Sequence, residues 1–438
     1  MLEHSNSMKS ISMEPTTKTS TIVVGLGFGD EGKGSIVDAL THKNGIHDII
    51  RFNGGAQAAH HVVVDEHTWH CFSQFASGSF HPNVRTWLSE FMLVDPMALI
   101  AEEKALRSKG LINAFQRLCV HIDCVVVTPF HKSLNRLQER LLNDNKHGSC
   151  GMGVGWAWRY HLNPHKPTLY WKDLFHRSEM RTKLNWIKSE IIDHAEQMME
   201  KSVVDAQAQQ EYVQICQMDV PSIVQAYHDF ATTVPILQFT SDDMNTLLQE
   251  KSVIFEGAQG MLLDPMLGFA PHVTKTRTTP HNALQLIERA DVEQPEIVGV
   301  TRGYMTRHGR GPFPSEWTDV ENLLPEEHNP SNIWQGSMRM GWLDLVLLEY
   351  ACAQLPARSS IAVTHLDRLQ RLSKKFLCVG YEKEEGIPVH SLHSIKDSID
   401  AYRPILKEVE NIQEICSFLP RPVSIQSFGP SYTDKLYL

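Results

Sequence analysis

The chain has 438 residues, 42% of them hydrophobic and 21% charged, with a formal net charge of -10 at pH 7. That length supports a sizeable core in one large α/β domain or two smaller ones, and the composition is that of an ordinary globular enzyme. The acidic balance argues against a general binder of nucleic acid or anionic membranes, and no apolar run reaches the roughly 18 residues that a membrane helix needs.

Residues 1–20 lack the apolar centre of a secretory signal and read as a disordered tail. From there short β-branched runs alternate with longer mixed segments. The expected strands are Thr21–Gly25, Asp48–Phe52, Val62–Val64, Cys124–Val127, Val253–Glu256, Ile297–Thr301, Ser360–Thr364, Phe376–Val379 and Val423–Ser427. The expected helices are Pro96–Ser108, Lys132–Asn145, Met180–Glu200 and Pro221–Thr232. This alternation predicts an α/β fold, a large mostly parallel central sheet flanked by helices. A helix-rich subdomain over about 129–250 is expected inside a single catalytic domain spanning 21–438. The eight cysteines include no CxxC and the 23 histidines no HExxH, so reduced thiols of a cytoplasmic protein are expected and a structural zinc site is not.

The segment Thr21–Asp38, TIVVGLGFGDEGKGSIVD, carries the most information. An apolar run enters five glycines with Asp30, Glu31 and Lys33 among them, then leaves as a helix. Glycines let backbone N–H groups approach phosphate oxygens, and the helix offers its positive end. Three readings stay open. Gly27-x4-Gly32-Lys33 starts like a P-loop, but Gly34 stands where that loop needs Ser or Thr for Mg²⁺. Gly27-x-Gly29-x-x-Gly32 fits a dinucleotide fingerprint, whose supporting acid would be Asp48, before a strand rather than after one. GDEGKG as a unit puts an Asp inside a phosphate loop, able to hold a metal or take a proton.

The last reading resembles the adenylosuccinate synthetases. GFGDEGKGSIVD is similar to their signature loop, and RFNGGAQAAHHVVVD at Arg51–Asp65 to their second segment. FEGAQGMLLD, HVTKTRTT, GRGPFPSE, GWLD, THLD and SFGP follow in family order over nearly the whole chain. The resemblance implies a purine 6-oxygen phosphorylated by an NTP and displaced by an amino acid. Such chemistry needs a base for the N1 proton, cations around the phosphoryl group, and donors for the 6-oxyanion.

Carried over residue by residue, the resemblance makes Asp30 the base and a Mg²⁺ ligand, with Ala59 the second metal position. Lys33 neutralises phosphate, His60 is the catalytic acid, and Gln259 donates to the 6-oxygen. Gly29, Glu31, Gly32, Gly34 and Ser35 belong to the NTP site, as do His365, Asp367, Ser427 and Gly429 near the base. A carboxylate at Asp367 accepts both N1–H and N2–H of guanine, which favours GTP, with ATP the alternative donor. Gln57, Ser149, Cys150, Thr274 and Arg339 are the substrate-binding candidates, for a purine nucleotide and an amino acid. The resemblance also implies a homodimer. Each residue has a plainer reading: an Asx turn for Asp30, a loop histidine for His60, turn residues for Gln259 and Thr274, a helix N-cap for Asp367.

Several positions depart from the family. Family members carry arginines before GWLD, whereas this chain reads NIWQGSMRMGWLD. Gly336 and Met338 occupy the functional Arg positions, Arg339 alone remains, and Trp334 adds bulk. One Lys/Arg fewer costs a charge-assisted pair, about 1.5–3 kcal/mol. Arg307 and Arg310 are candidate replacements or solvated loop charges. Ala56 and Gln57 replace a pair of Asn. Pro164 stands at the spacing of an intersubunit Arg, with Arg159, His165 or Lys166 as substitutes. Other functions therefore remain in play: a paralogue with another nucleotide or amine, such as dGMP with aspartate; a nucleotide sensor that lost ligation; and an NAD-binding oxidoreductase. The phage dGMP synthetase carries Ser at the loop Asp position, where this chain has Asp30.

Overall fold

In the computed structural model, the described residues are 20–143, 148–317, 323–324, 337–383 and 388–438. The expected tail therefore lies outside them except for Ser20, and so do Trp334, Gly336 and the end of the helix expected over Lys132–Asn145.

Ten strands form the central sheet. In spatial order they are Lys435–Tyr437, Val423–Ser427, Ser359–Thr364, Glu296–Arg302, Thr21–Gly25, Ile254–Gly260, Asp48–Arg51, Arg85–Leu88, Leu118–His121 and Leu237–Phe239. All adjacent pairs run parallel except the Lys435–Tyr437 edge strand. Thr21–Gly25 is wholly buried at the centre, as expected for an apolar strand covered on both faces. Its loop opens at the carboxyl edge of the sheet, where ligands of such folds bind.

A second sheet joins Tyr304–His308, Met338–Asp344, Lys375–Glu382, Pro388–Val389 and Arg403–Val409. The strand expected at Phe376–Val379 belongs here rather than to the central sheet. Likewise, Val62–Val64 resolves into His60–Val63, which forms a hairpin with Trp69–Phe72, and Cys124–Val127 into Val125–Val126, paired with Leu93–Val94. The short strands Arg85–Leu88, Leu118–His121 and Leu237–Phe239 are additional to those expected.

Helix Pro96–Ser108 begins where its cap dictates: the Asp95 carboxylate accepts from the amides of Met97 and Ala98. Helix Pro129–Leu141 starts earlier than expected, because Thr128 and His131 form a reciprocal cap ahead of Pro129. Arg177–Met199, Ala206–Gln217 and Val220–Thr233 pack with it around Phe130, Leu137, Leu184 and Tyr227, joined to Leu88, Leu118 and Val120 of the central sheet.

Candidate active site

The glycines of the first loop surround an acid. The Glu31 carboxylate accepts from the amides of Gly27 at 3.0 Å and Gly29 at 2.8 Å, and from Lys33 Nζ at 2.7 Å. Both side chains of this ion pair are buried. A Cβ at Gly25 would come 2.3 Å from Glu31 Oε2, so the carboxylate fits only because that residue is glycine. The amides expected to cradle phosphate at Gly27 and Gly29 are thus bound to Glu31, and Lys33 is paired. Helix Lys33–Asn44 then begins at Gly32 without a side-chain cap for its first-turn amides. Thr364 donates through Oγ1 to the Glu31 carbonyl at 2.6 Å, tying the loop to the end of a neighbouring strand.

Asp30 adopts a left-handed backbone, φ 59°. Its Oδ2 lies 2.9 Å from His308 Nε2, and its carbonyl accepts from Arg302 Nε. Burial opposes ionisation of Asp30, but the His308 hydrogen bond and the charges of His308, Arg302 and Lys33 outweigh it and lower its pKa. The side chain remains 30% exposed.

His60 packs against the same loop, since a Cβ on Gly34 would lie 2.8 Å from its own Cβ. Its Nδ1 is 2.6 Å from Glu256 Oε1, and Glu256 also accepts from the Ser77 amide at 3.0 Å and the Ser77 hydroxyl. Burial lowers the His60 pKa, with Arg51 and Lys33 adding to the effect against the pull of Glu256. For Glu256, burial is outweighed by Arg51, His60 and Ser77, which hold its carboxyl at about 2. The Nε2 of His60 is buried without a hydrogen-bond partner among the described residues. Gln259, at the end of strand Ile254–Gly260, is also left-handed, φ 62°, and its buried Oε1 has no partner among them either. The following Gly260 adjoins the Gly27 carbonyl and the Gly29 amide, which brings the Gln259 turn to the loop.

At the other side of the loop, His365 takes φ 57° and caps helix Leu366–Gln370. Asp367 therefore lies in the first turn, and the plainer N-cap reading of it does not hold. Burial keeps the His365 ring well below its usual pKa, aided by Arg302, Arg368 and Lys435. Ser427 donates to the Gly429 carbonyl at 3.0 Å, and Lys435 Nζ donates to Gly429 and Ser431, each at 2.8 Å. Burial pushes the Lys435 ammonium down to about 8 despite Asp434, Asp38 and Asp367. Lys435 was not among the expected residues; its signal, a lysine in a short edge strand, is faint.

Gly55 adjoins Gln57 and Val154, and Gly155 adjoins Lys275, next to Thr274. Ser149 Oγ accepts from Asn135 at 2.8 Å, and burial raises the Cys150 thiol to about 11, leaving it neutral. Thr274 donates its amide to Leu263. Among the substitutes for the intersubunit arginine, Lys166 pairs with Glu190, Arg159 lies over Trp156, and His165 is exposed. Arg339, expected at the substrate, has partners within the chain. Its guanidinium grips both oxygens of Glu316 and the carbonyls of Gly309 and Gly311, because Glu316 bridges to Gly341 beside it. Met338 is buried in the apolar core. Arg307 is buried over Phe28, bonded to the carbonyls of Pro312 and His272, and burial lowers it to about 9; Arg310 is exposed.

No group of three or more His, Cys, Asp or Glu that could hold a metal occurs among the described residues. Mg²⁺ asks for less: one carboxylate, a carbonyl and the phosphates of its substrate. The partly exposed carboxylate of Asp30 and the exposed Ala59 fit that donor set. All eight cysteines are unpaired, and no helix among the described residues is long and apolar enough to cross a membrane.

The family model described as adenylosuccinate synthetase matches residues 22–421. The adenylosuccinate synthetase of Francisella tularensis subsp. tularensis strain WY96-3418 is 29% identical over 424 residues, covering 94% of this chain and 92% of its own length. That of subsp. novicida strain U112 is 30% identical over 404 residues, covering 90% and 87%. Among solved structures, fully ligated adenylosuccinate synthetase from Plasmodium falciparum superposes with a TM-score of 0.79 at 23% identity, covering 96% of this chain and all of its own. The succinoaminodeoxyadenylate synthetase of cyanophage S-2L, bound to dGMP and to dATP as an energy donor, superposes with a TM-score of 0.58 at 17% identity, covering 96% of each chain.

Proposed function

The chain belongs to the adenylosuccinate synthetase family, a family of carbon–nitrogen ligases of purine biosynthesis, and on that premise we propose that it joins L-aspartate to a 6-oxopurine nucleotide, IMP or an analogue, at the expense of GTP. The products are the N6-succinyl purine nucleotide, GDP and phosphate. One observation carries the reading: the Asp30 carboxylate, held in the phosphate loop against His308, with the Glu256-tethered His60 packed against the same loop.

In this reading Asp30 takes the N1 proton, so that the 6-oxygen becomes nucleophilic toward the γ-phosphoryl group. His60, oriented by Glu256, supports the transferring group through Nε2. The amide of Gln259 holds the 6-oxygen. Asp367 selects the guanine base, with Ser427 and Gly429 beside it. Ser149, Gln57 and Thr274 contact the acceptor nucleotide. Asp30 and Ala59 would hold Mg²⁺, which would supply charge neutralisation on the phosphates. The active assembly is a cytoplasmic homodimer.

A second reading is favoured by Arg339, whose guanidinium is bound to Glu316 and the chain's own carbonyls. With that cation occupied, a different nucleotide or amine is the alternative, and the phage neighbour solved with dGMP and dATP supplies the pair to test. Phosphate release from purified protein tests both, scanning IMP, dIMP, GMP and dGMP with GTP or ATP against aspartate and other amino acids. Release that requires IMP, aspartate and GTP supports the first reading; release with another combination supports the second. Nucleotide binding without release under every combination would sink both and leave a sensor.

A further inference from the structure

Asp30 is a short side chain on a left-handed residue in a glycine-rich loop, an arrangement that does little to orient its carboxylate. What does orient it comes from outside the loop. Strands Glu296–Arg302 and Tyr304–His308 run beside it, and residues spaced by two touch it in succession. Arg302 donates to the Asp30 carbonyl, and its Nη1 donates to the Tyr304 hydroxyl at 3.0 Å. Thr306 Oγ1 lies 3.5 Å from the Gly29 carbonyl. His308 Nε2 lies 2.9 Å from Asp30 Oδ2. A spacing of two puts these side chains on one face of an extended chain.

His308 ends a strand paired rung by rung with its neighbour, from Tyr304 opposite Trp342 to His308 opposite Met338, so its Cα is firmly placed. Its Nδ1 is buried and has no hydrogen-bond partner among the described residues, so the contact with Asp30 is the polar interaction that orients the ring. Both side chains are largely shielded, 22% and 30% exposed, which separates this contact from a solvated surface pair.

We propose that His308 is a positioning residue of the ligase: its Nε2–H donates to Asp30 Oδ2 and holds the carboxylate so that Oδ1 faces the substrate. The inference rests on the reading of Asp30 as the base. Misplacement of a reacting group by about 1 Å costs on the order of 100-fold in rate.

The full chain is compared with His308→Ala and His308→Gln. The alanine variant is expected to lower kcat about 10–100-fold with the KM values of both nucleotides little changed, and glutamine, whose amide donates from a similar place, to recover most of that loss. An alanine variant with wild-type kcat, or a folded glutamine variant as slow as alanine, overturns the proposal. A second readout separates this from failure of the ligase reading. In ¹⁵N-histidine NMR the His308 Nε2–H resonance should move when Asp30→Asn is introduced. If wild type releases no phosphate under any combination, the ligase reading falls, and the positioning role with it. The resonance then says whether the contact alone survives: a moved signal keeps it, and an indifferent one removes that too.

Discussion

The phosphate loop and the paired strands Tyr304–His308 and Met338–Asp344 both carry charge, yet they use it differently. In the loop, buried charges are paired side chain to side chain, and atoms suited to chemistry are left over: Asp30 stays partly exposed, and His60 Nε2 and Gln259 Oε1 have no partner among the described residues. In the paired strands, Arg307 and Arg339 stand opposite one another and are bound to the chain's own carbonyls and to Glu316. In the proposed reading the first region serves the reaction, while the second holds its own conformation. On that reading, the phosphoryl-transfer residues are kept while the contacts to the attacking amine are the part that differs.

Breaking the loop at its base should have the largest effect. Asp30→Asn is expected to lower turnover about 10²–10⁴-fold, with nucleotide affinity by calorimetry changed only a few-fold. Next, Glu31→Ala leaves Lys33 buried and unpaired and removes the acceptor of two loop amides, so denaturant unfolding should report a loss of about 3 kcal/mol or more. The third test is pH. Because the Glu256 carboxyl is held at about 2 in the fold, its contribution is present above its unfolded pKa and is lost as pH falls from there toward 2. The stability gap between wild type and Glu256→Gln should shrink over that window, by on the order of 3 kcal/mol; a gap independent of pH would contradict the charge network around His60. On the side of the paired strands, Glu316→Ala should cost only about 1 kcal/mol, since the Arg339 pair is partly solvated. If instead it abolished phosphate release, the contrast between the two regions would fail.

Much of this was legible in the chain. The first strand and its loop could be read because five glycines after a β-branched run have few other uses, and Pro96–Ser108 because its apolar residues recur at helical spacing. Local signals did not extend to contacts made across the fold. The alternation of Thr306 and His308 tells which side chains share a face, but not that the face meets Asp30. Counting arginines before GWLD identified Arg339 but not Glu316, which reaches it through a bridge formed only when the chain folds. The plainer reading of Asp367 as a cap failed because the helix starts two residues earlier, at a left-handed His365 that nothing local in the sequence marks.

Asp30, Gln259 and His365 share that left-handed backbone, at φ 59°, 62° and 57°. Each is a place where the polypeptide itself would be more comfortable as glycine and the proposed chemistry would not. Mutational drift at these positions is therefore pulled two ways, toward a sturdier protein and toward a working one. A lineage released from catalysis would be expected to leave its trace there first, as glycines, well before the surrounding sheet showed any sign of change.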